Sequence, residues 1–415
     1  MHPKIIVFGD TELGAGTITD DFIADVELSK VIRKYSKTKE TIDMVFNGDT
    51  FDYLKCPVII NKHSSYPRHI TSKISLHKTK LIFSAHHEVI SAMRDFAKNN
   101  NHQIYFLYGN HDPDIKFPEV QSLFYKELKS KKNIHFQTRY ERPGLHIEHG
   151  DAYDVLHQVQ HDDHFITYRG NKILNLPYVS YGLMDKFMVI KEIHPFLERI
   201  KPESELFRHH KEIAKIITSK SASYFMKSIF YYPLRHFKDP TYTLPKGLFE
   251  EFIHRARAAG FYVGSVIPLF KSKNHDKLLN HDHQNVYILG HRHDYVIDSV
   301  GKNTIMHPDT WRDEYILDPK TKLLKPKDKH YIELQKKGHD WKYKVHTVKS
   351  IRPSFDFNYV TKNEVEAANI AAAEEGYVPP RNHIRHKPTS TKGRFRSYRE
   401  NRAKKKAASQ KNKLK

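Results

Sequence analysis

The stretch Val45-Phe46-Asn47-Gly48-Asp49-Thr50-Phe51-Asp52 places a glycine and a carboxylate directly after an apolar run. This order is typical of a buried strand that leads into a polar loop. Four other stretches have the same form, an apolar run followed by Gly beside Asp, Asn or His. They are residues 5–10, 104–112, 145–151 and 286–293.

These five strand ends predict one shared site. In an α/β sheet, ligands bind outside the carboxyl ends of the strands. The carboxylate, amide and imidazole groups that follow the five apolar runs are therefore expected to lie close together. Asp49 is expected at the centre of that site.

Composition and charge limit the class of protein. The chain has 415 residues, 39% of them hydrophobic, with 24 Phe and 24 Tyr, which is enough for a large core. Cys56 is its one cysteine, so an intrachain disulfide and a multi-cysteine zinc site are excluded. No apolar run reaches the roughly 18 residues of a membrane span, and no apolar signal region precedes the first strand. We therefore expect a cytoplasmic protein without a transmembrane segment.

The net charge of +21 is unevenly distributed. Residues 381–415 contain 14 Lys and Arg and one Glu, so this segment carries +13 of the total. Its apolar content is too low to offset the entropy of ordering, which predicts a disordered tail. Such a tail is either a solubilising extension or a binding segment for nucleic acid or another polyanion.

The order of elements predicts an α/β fold with additions. Helices are expected over 19–35, over 80–98 and near 118–131, alternating with strands through residues 1–154. Residues 155–284 read as a mostly helical insertion or lid, with helices over 186–197, 203–217 and 248–259. Residues 285–352 return to the core, and strands at 286–290, 303–307, 329–335 and 341–348 are expected to finish a second sheet. Residues 353–415 are a linker helix, near 363–375, followed by the basic tail.

The strand-end motifs resemble those of the calcineurin-like metallophosphoesterase family, in the family's order, over about residues 5–310. The five motifs are Gly9-Asp10-Thr11-Glu12-Leu13-Gly14, Gly48-Asp49-Thr50-Phe51-Asp52, Gly109-Asn110-His111-Asp112, His149-Gly150-Asp151 and Gly290-His291-Arg292-His293. Any one motif is weak, but five in order are specific. The resemblance implies a four-layer α/β/β/α sandwich that carries two divalent metal ions.

The resemblance also assigns metal ligands. Asp10, Asp49 and His293 would hold the first ion, and Asp49 would bridge to the second. The second ion would be held by Asp49, Asn110, His149 and His291. Two ions roughly 3.5–4 Å apart can share a hydroxide that attacks a phosphoester in line. The mixed ligand types suit Mn²⁺, which we expect here, as well as Mg²⁺, Fe or Zn²⁺.

Glu12 departs from the family pattern, which usually has a histidine two residues after the first aspartate. A glutamate can still bind a metal, and it would favour Mn²⁺ or Mg²⁺ at the first position. We predict that Glu12 is a ligand. The alternative is a weak or empty first site.

Three further residues receive roles from the resemblance. His111 would face the phosphate and protonate or stabilise the leaving oxygen, and Asp52 would orient His111. General acid help of this kind is worth about 10²–10⁴ in rate. Arg292 could reach a substrate phosphate, and an ordinary salt bridge is the competing interpretation.

The predicted function is metal-dependent hydrolysis of a phosphodiester or pyrophosphate. The His149-Gly150-Asp151 form and the insertion resemble the UDP-2,3-diacylglucosamine hydrolase branch of the family. Tyr53-Leu54 stand where the phosphoprotein phosphatase branch has Arg-Gly, which counts against a Ser/Thr protein phosphatase. One alternative is a nuclease acting on DNA or RNA, which would suit the basic tail. Another alternative is a polyanion-binding protein without catalytic activity, in which the metal site has lost its function because Glu12 replaces the usual histidine.

Overall fold

The protein is described by a computed structural model that covers residues 2–60, 63–159, 163–251, 253, 286–300 and 302–378. The strands are β1 Lys4–Phe8, β2 Ile42–Phe46, β3 Val58–Ile60, β4 His63–Ser65, β5 His102–Leu107, β6 Ile134–Gln137, β7 Arg139–Arg142, β8 Leu145–Glu148, β9 Phe165–Tyr168, β10 Asn171–Leu174, β11 Ile200–Lys201, β12 Val286–Leu289, β13 Tyr295–Val300, β14 Asn303–Pro308, β15 Tyr315–Leu317, β16 Leu323–Pro326, β17 Lys329–Lys337, β18 Asp340–Val348 and β19 Phe355–Asp356. The helices are α1 Asp25–Ser36, α2 Ser72–Ala85, α3 His87–Ala97, α4 Pro118–Glu127, α5 Tyr178–Gly182, α6 Met188–Ile193, α7 Glu203–His209, α8 Lys211–His236, α9 Phe357–Lys362 and α10 Glu364–Glu374.

The described residues form a mixed α/β structure with two large sheets. The first sheet has the strand order β18-β17-β1-β2-β5-β6, and its strands β1, β2, β5 and β6 are parallel. The second has the order β13-β14-β12-β8-β7, with β14, β12 and β8 parallel. A four-stranded sheet, β11-β15-β16-β19, and the hairpins β3-β4 and β9-β10 complete the described strands.

Alternating side chains of the first sheet supply two cores. Met44 and Phe46 of β2 pack with Leu28, Ile32 and other apolar residues of helices α1 to α4. Val45 points the other way and packs with the second sheet in a core that also holds Ile147, Ile288 and Met306. Successive side chains of a strand point to opposite faces, so a strand that is covered on both sides is apolar throughout. The two large sheets therefore pack against each other, with helices outside the first.

The structure corrects three predicted helices, of which the one expected over 203–217 is divided at His210 between α7 and α8. The helix expected over 19–35 begins at Asp25, because the Asp20 carboxylate accepts the Gly16 and Phe22 amides and holds the preceding residues in a loop. The helix expected over 80–98 is two helices, α2 and α3, and the first begins earlier, at Ser72. They meet at His86, whose ring bonds to Asp20 and Asp25 and whose backbone is not helical.

The expected strands after residue 285 are present, but their assignment to one sheet was wrong. β12 and β14 belong to the second sheet, whereas β17 and β18 extend the first sheet through antiparallel pairing of β17 with β1. The reason lies in the core between the sheets. Ile332 and Leu334 of β17 are buried there beside Ile5 and Val7.

The described part of the region predicted as an insertion contains α5 to α8 and a short hairpin, and α8 is the longest helix described there. Most of the helix predicted over 248–259 and all of the basic tail lie outside the described residues. Helix α10 packs through Ala367, Ala368, Ala371 and Ala372 into a core that includes Phe196 and Tyr315. Among the described helices, none is long and apolar enough to cross a membrane.

Candidate metal centre

Loops after the strands are tied together by backbone hydrogen bonds. The Glu12 amide donates to the Asp49 carbonyl at 2.8 Å, and the Tyr53 amide donates to the His111 carbonyl at 3.1 Å. The Asp112 carboxylate accepts the amides of Thr50 and Gly109, each at 2.8 Å. These contacts bring the ends of β1, β2 and β5 to one place, as the strand-end pattern predicts.

Asp49, Asn110, His149 and His291 meet at this place. His149 Nε2 lies 3.1 Å from Asp49 Oδ2 and 3.1 Å from Asn110 Oδ1. The ligand atoms of Asp49, His149 and His291 all lie within 4.8 Å of one another, so these residues could hold a metal ion. The other ring nitrogen of His149, Nδ1, lies 3.0 Å from the Asn47 carbonyl oxygen, a partner that fixes the orientation of a ligand histidine.

Asp10, Glu12 and His293 lie on the adjoining side. His293 Nε2 is 3.1 Å from Glu12 Oε1 and 3.8 Å from Asp10 Oδ2. His149 Nδ1 is 3.3 Å from Asp10 Oδ1, which joins the two sides. Glu12 Oε1 is buried and faces His293 Nε2, whereas Oε2 bonds to Lys55. One oxygen of Glu12 is thus anchored and the other faces His293, an arrangement that fits a ligand.

Glu12, Asp52 and His111 form another group with closely spaced ligand atoms. Lys55 Nζ, however, lies 2.9 Å from Glu12 Oε2 and 2.9 Å from Asp52 Oδ2. A buried ammonium therefore already supplies positive charge between these two carboxylates. This makes the group a poor position for a metal ion, because the two cations would repel each other at short range.

Lys55 belongs to a buried network of charged side chains that continues away from the site. Its ammonium also contacts Asp21 and Glu198, each at 3.2 Å. Arg312 contacts the same two carboxylates at 3.0 and 3.1 Å, and its other terminal nitrogen lies 3.5 Å from Glu12 Oε1. Lys55 and Arg312 thus neutralise Asp21 and Glu198, because a buried charge is stable only when it is paired.

His111 and Asp52 form the predicted pair. His111 Nδ1 lies 3.0 Å from Asp52 Oδ1, and the His111 amide donates to Asp49 Oδ1 at 2.7 Å. Burial lowers the pKa of His111, but Asp52, Asp49 and Glu12 outweigh it and raise the pKa to about 9. The ring is therefore protonated at neutral pH in the metal-free protein and can act as a proton donor.

Other groups of the centre have shifted pKa values. Burial and the nearby His157 lower the pKa of His291 to about 3, which keeps this ring neutral, the form that binds metals. Burial raises the pKa of Asp10 to about 6. Burial also opposes ionisation of Asp49, but His149 and His111 outweigh it and lower its pKa. Crowded buried acids and imidazoles of this kind are typical of functional sites.

Four site residues have left-handed backbone conformations: Glu12 at φ 49°, Asp49 at φ 45°, His291 at φ 71° and His293 at φ 56°. This region is uncommon for residues other than glycine and costs about 1–3 kcal/mol at each position.

Two glycines of the site loops have no room for a side chain. A Cβ at Gly48 would lie 2.5 Å from the His149 ring, and one at Gly109 would overlap the Asp49 carboxylate.

The structure places Arg292 differently from the other predicted residues. Its guanidinium bonds to Asp294 Oδ2 at 2.7 Å and is mostly buried. This contact agrees with the salt-bridge interpretation of Arg292. All the other predicted site residues lie in the connected cluster described above.

Sequence reasoning missed several residues that contact the site. Lys55 lies three residues after Asp52, but that spacing alone does not predict an ion pair. Arg312 is distant in sequence from the motifs, so its contacts with the site could not be predicted either. Asp154 lies 3.7 Å from His291 Nε2 and 3.1 Å from His157 Nδ1, and these three residues form a further group that could hold a metal ion. Asp154 lies three residues after Asp151 of the fourth motif, and this closeness in sequence was the available signal that Asp154 is near the site.

Comparison with models of known protein families and with curated proteins found no match.

Proposed function

We propose that this protein is a metallophosphoesterase of the calcineurin-like type that hydrolyses a phosphodiester or pyrophosphate. The observation that carries the proposal is the convergence of Asp10, Asp49, Asn110, His149 and His291 around one point. His111 lies beside this cluster with Asp52 behind it. Turns that merely end strands would not require this mixture of ligands.

The fold supports the same proposal at a coarser level. Two large sheets pack face to face, and α1 to α4 cover the outer face of the first. We infer that the complete architecture is the four-layer α/β/β/α sandwich of this family. In it, the carboxyl ends of β1, β2 and β5 meet those of β8 and β12 at the metal centre.

The donor set suits two divalent cations. Asp10, Glu12, Asp49 and His293 would hold one ion, and Asp49, Asn110, His149 and His291 the other. When bound, the ions would lower the pKa of a water nucleophile and neutralise charge on the phosphate. Carboxylate-rich ligands at the first position favour Mn²⁺, with Mg²⁺, Fe or Zn²⁺ as alternatives.

Side chains of the protein would transfer the proton and position the catalytic groups. His111 would donate its proton to the leaving oxygen, and Asp52 would keep Nδ1 of that ring protonated so that Nε2 faces the substrate. Lys55 would hold Asp52 and Glu12 in place. Burial of these groups excludes water from their mutual contacts and strengthens them.

The first test is turnover of bis-p-nitrophenyl phosphate with Mn²⁺, together with metal content by mass spectrometry. We expect Asp49→Asn to lose both metal and activity. His111→Ala should keep the metal and lose about 10²–10⁴ in rate. Asp43→Asn changes a buried carboxylate of β2, the strand that precedes Asp49, and this carboxylate bonds to Arg142. His87→Ala changes an exposed histidine, so both variants are controls. Equal activity in all four variants would contradict the proposal.

A nuclease is the second candidate, because the segment 381–415 is strongly basic. Single- and double-stranded DNA and RNA should be compared with nucleotide-sugar pyrophosphates as substrates. Faster turnover of the nucleic acids would favour the nuclease. Metal-free protein without activity on any of these substrates would favour a polyanion-binding protein.

A further inference from the structure

Helix α8 exposes a row of large apolar side chains. Met226 is 50% exposed, Phe230 67%, Leu234 73% and Phe237, at the end of the helix, 88%. Their spacing of three and four residues places them along one side of the helix. The opposite side is held by buried residues that include Tyr224 and Tyr232.

The apolar surface continues beyond the helix. Phe249 is 52% exposed and its ring lies 5.9 Å from that of Phe225. Ile253 is 48% exposed. Single exposed apolar residues are ordinary on protein surfaces, but a contiguous group of them marks a surface that binds something.

The charge around this surface identifies the partner. Residues 213–238 contain Lys215, Lys220, Lys227, Arg235 and Lys238 and no Asp or Glu. Glu212 and Asp239 flank this stretch, and over residues 211–253 seven Lys and Arg stand against four Asp and Glu. An exposed apolar row with mostly cationic neighbours suits the surface of an anionic bilayer. Symmetric contact between two copies would bring the same cations together, which disfavours a dimer through this face.

We propose that this face of α8 docks on the surface of a membrane that contains anionic lipids. Met226, Phe230, Leu234 and Phe237 enter the region between the headgroups and the acyl chains. Lys220 and Lys238 contact lipid phosphates. The segment 381–415, with its net charge of +13, adds a second attraction to the same surface. One anchoring signal gives only weak membrane binding, and two together give stable binding. The proposal does not depend on the chemistry of the metal centre.

The test is co-sedimentation of the full chain with vesicles of phosphatidylcholine mixed with phosphatidylglycerol, and with vesicles of phosphatidylcholine alone. The double variant Phe230→Ser/Leu234→Ser should bind the mixed vesicles about tenfold or more weakly, because two large apolar groups stay in water. Tyr343→Ser/Ile351→Ser, which changes two exposed apolar residues on other elements, should bind as wild type. The basic segment is intact in every variant, so a difference reports on α8.

Two further arms separate the sources of binding. Raised salt should weaken the electrostatic part and leave a residual binding that Phe230→Ser/Leu234→Ser abolishes. Lys220→Gln/Lys238→Gln should weaken binding to the mixed vesicles and leave binding to phosphatidylcholine alone unchanged.

A fluorescent label checks insertion directly. Cys56 is fully buried, so a dye that changes colour with polarity can be attached selectively to Leu234→Cys or to Ile351→Cys. A blue shift with mixed vesicles for Leu234→Cys alone is the expected result. Three results would overturn the proposal: equal vesicle binding by all variants, a shift at neither position, or a concentration-dependent dimer that Phe230→Ser/Leu234→Ser disrupts.

Discussion

Arg312 and Lys55 together make a glutamate at position 12 compatible with a buried site. A histidine there would bring no charge when neutral, whereas Glu12 brings a negative charge that burial penalises. Burial and Arg312 oppose the charged form of Lys55, but Asp52 and Glu12 outweigh them and raise its pKa well above the usual value. Burial likewise opposes ionisation of Glu12, and Arg312 and Lys55 outweigh it and lower the pKa of Glu12.

A double-mutant cycle tests this pairing. Glu12→His and Lys55→Met should each lower the free energy of unfolding by about 1–3 kcal/mol, because each removes one partner from a buried network of charges and leaves the others in place. The double variant should lose less than the sum, by about 0.5–3 kcal/mol. The measurement is chemical denaturation of the metal-free protein.

The matched control is Lys191→Met. Lys191 is buried and contacts Asp21 and Glu198, two of the carboxylates that Lys55 contacts, but no contact joins it to Glu12 among the described residues. Combined with Glu12→His it should depart from additivity less than Lys55→Met does, because it reaches Glu12 only through shared partners. Equal coupling for the two lysines, or none for Lys55→Met, would show that Lys55 does not compensate for Glu12.

At the scale of elements, His86 fastens the junction of α2 and α3 to the start of α1. Nε2 lies 3.0 Å from Asp20 and Nδ1 3.0 Å from Asp25. Burial lowers the pKa of His86, but the two carboxylates outweigh it and raise the pKa to about 10. A raised pKa in the folded protein means that this stabilisation is complete below about pH 6.5 and is lost as the pH rises through about 10.

His86→Asn should therefore destabilise the protein most at about pH 6 and least near about pH 10, by about 3–5 kcal/mol at the lower pH. Denaturation curves of the wild type and the variant at several pH values measure the difference. His87→Asn changes the adjacent, exposed histidine and should show no such trend. A difference that stays constant over this range would contradict the ion-pair account.

The five strands that carry the site were predictable because each is an apolar run that ends at glycine. The residues around β2 show why this worked: strands buried on both faces leave a continuous signal. The break at His86 was not predictable, because apolar spacing continues from α2 into α3 and the partners Asp20 and Asp25 are distant in sequence. The same holds for Lys55 and Arg312, whose contacts arise only in the folded chain. The sequence also could not show which sheet β17 and β18 would join, because that depends on which core buries their apolar side chains.

At the scale of the whole molecule, residues after 352 belong to the packed structure as far as Tyr377, which is 4% exposed. Glu364 accepts from His194 Nδ1 at 2.8 Å and from the Phe196 amide at 2.9 Å. Arg352 contacts Glu375 at 3.0 Å. Helix α10 thus covers the core that α6 and α7 share with the four-stranded sheet.

Two truncations test this division. Removing residues 379–415 should leave the free energy of unfolding and small-substrate turnover unchanged while weakening binding to polyanions. Removing residues 353–415 also removes Phe355, Phe357, Val360 and the alanines of α10 from the core, and should destabilise the protein by well over about 5 kcal/mol. Denaturation and heparin affinity at two salt concentrations measure both effects. If the shorter truncation also unfolds the protein, the boundary at 378 is wrong.

The left-handed backbone at positions 49, 291 and 293 has an evolutionary consequence. Glycine would relieve the local conformational cost at each of these positions, so the side chains found there oppose thermal robustness. In a population that is selected only for resistance to heat, glycine is expected to accumulate at these codons first. Aspartate and histidine would persist there only in lineages that need them as the proposed metal ligands, so these three positions would record selection for that proposed role.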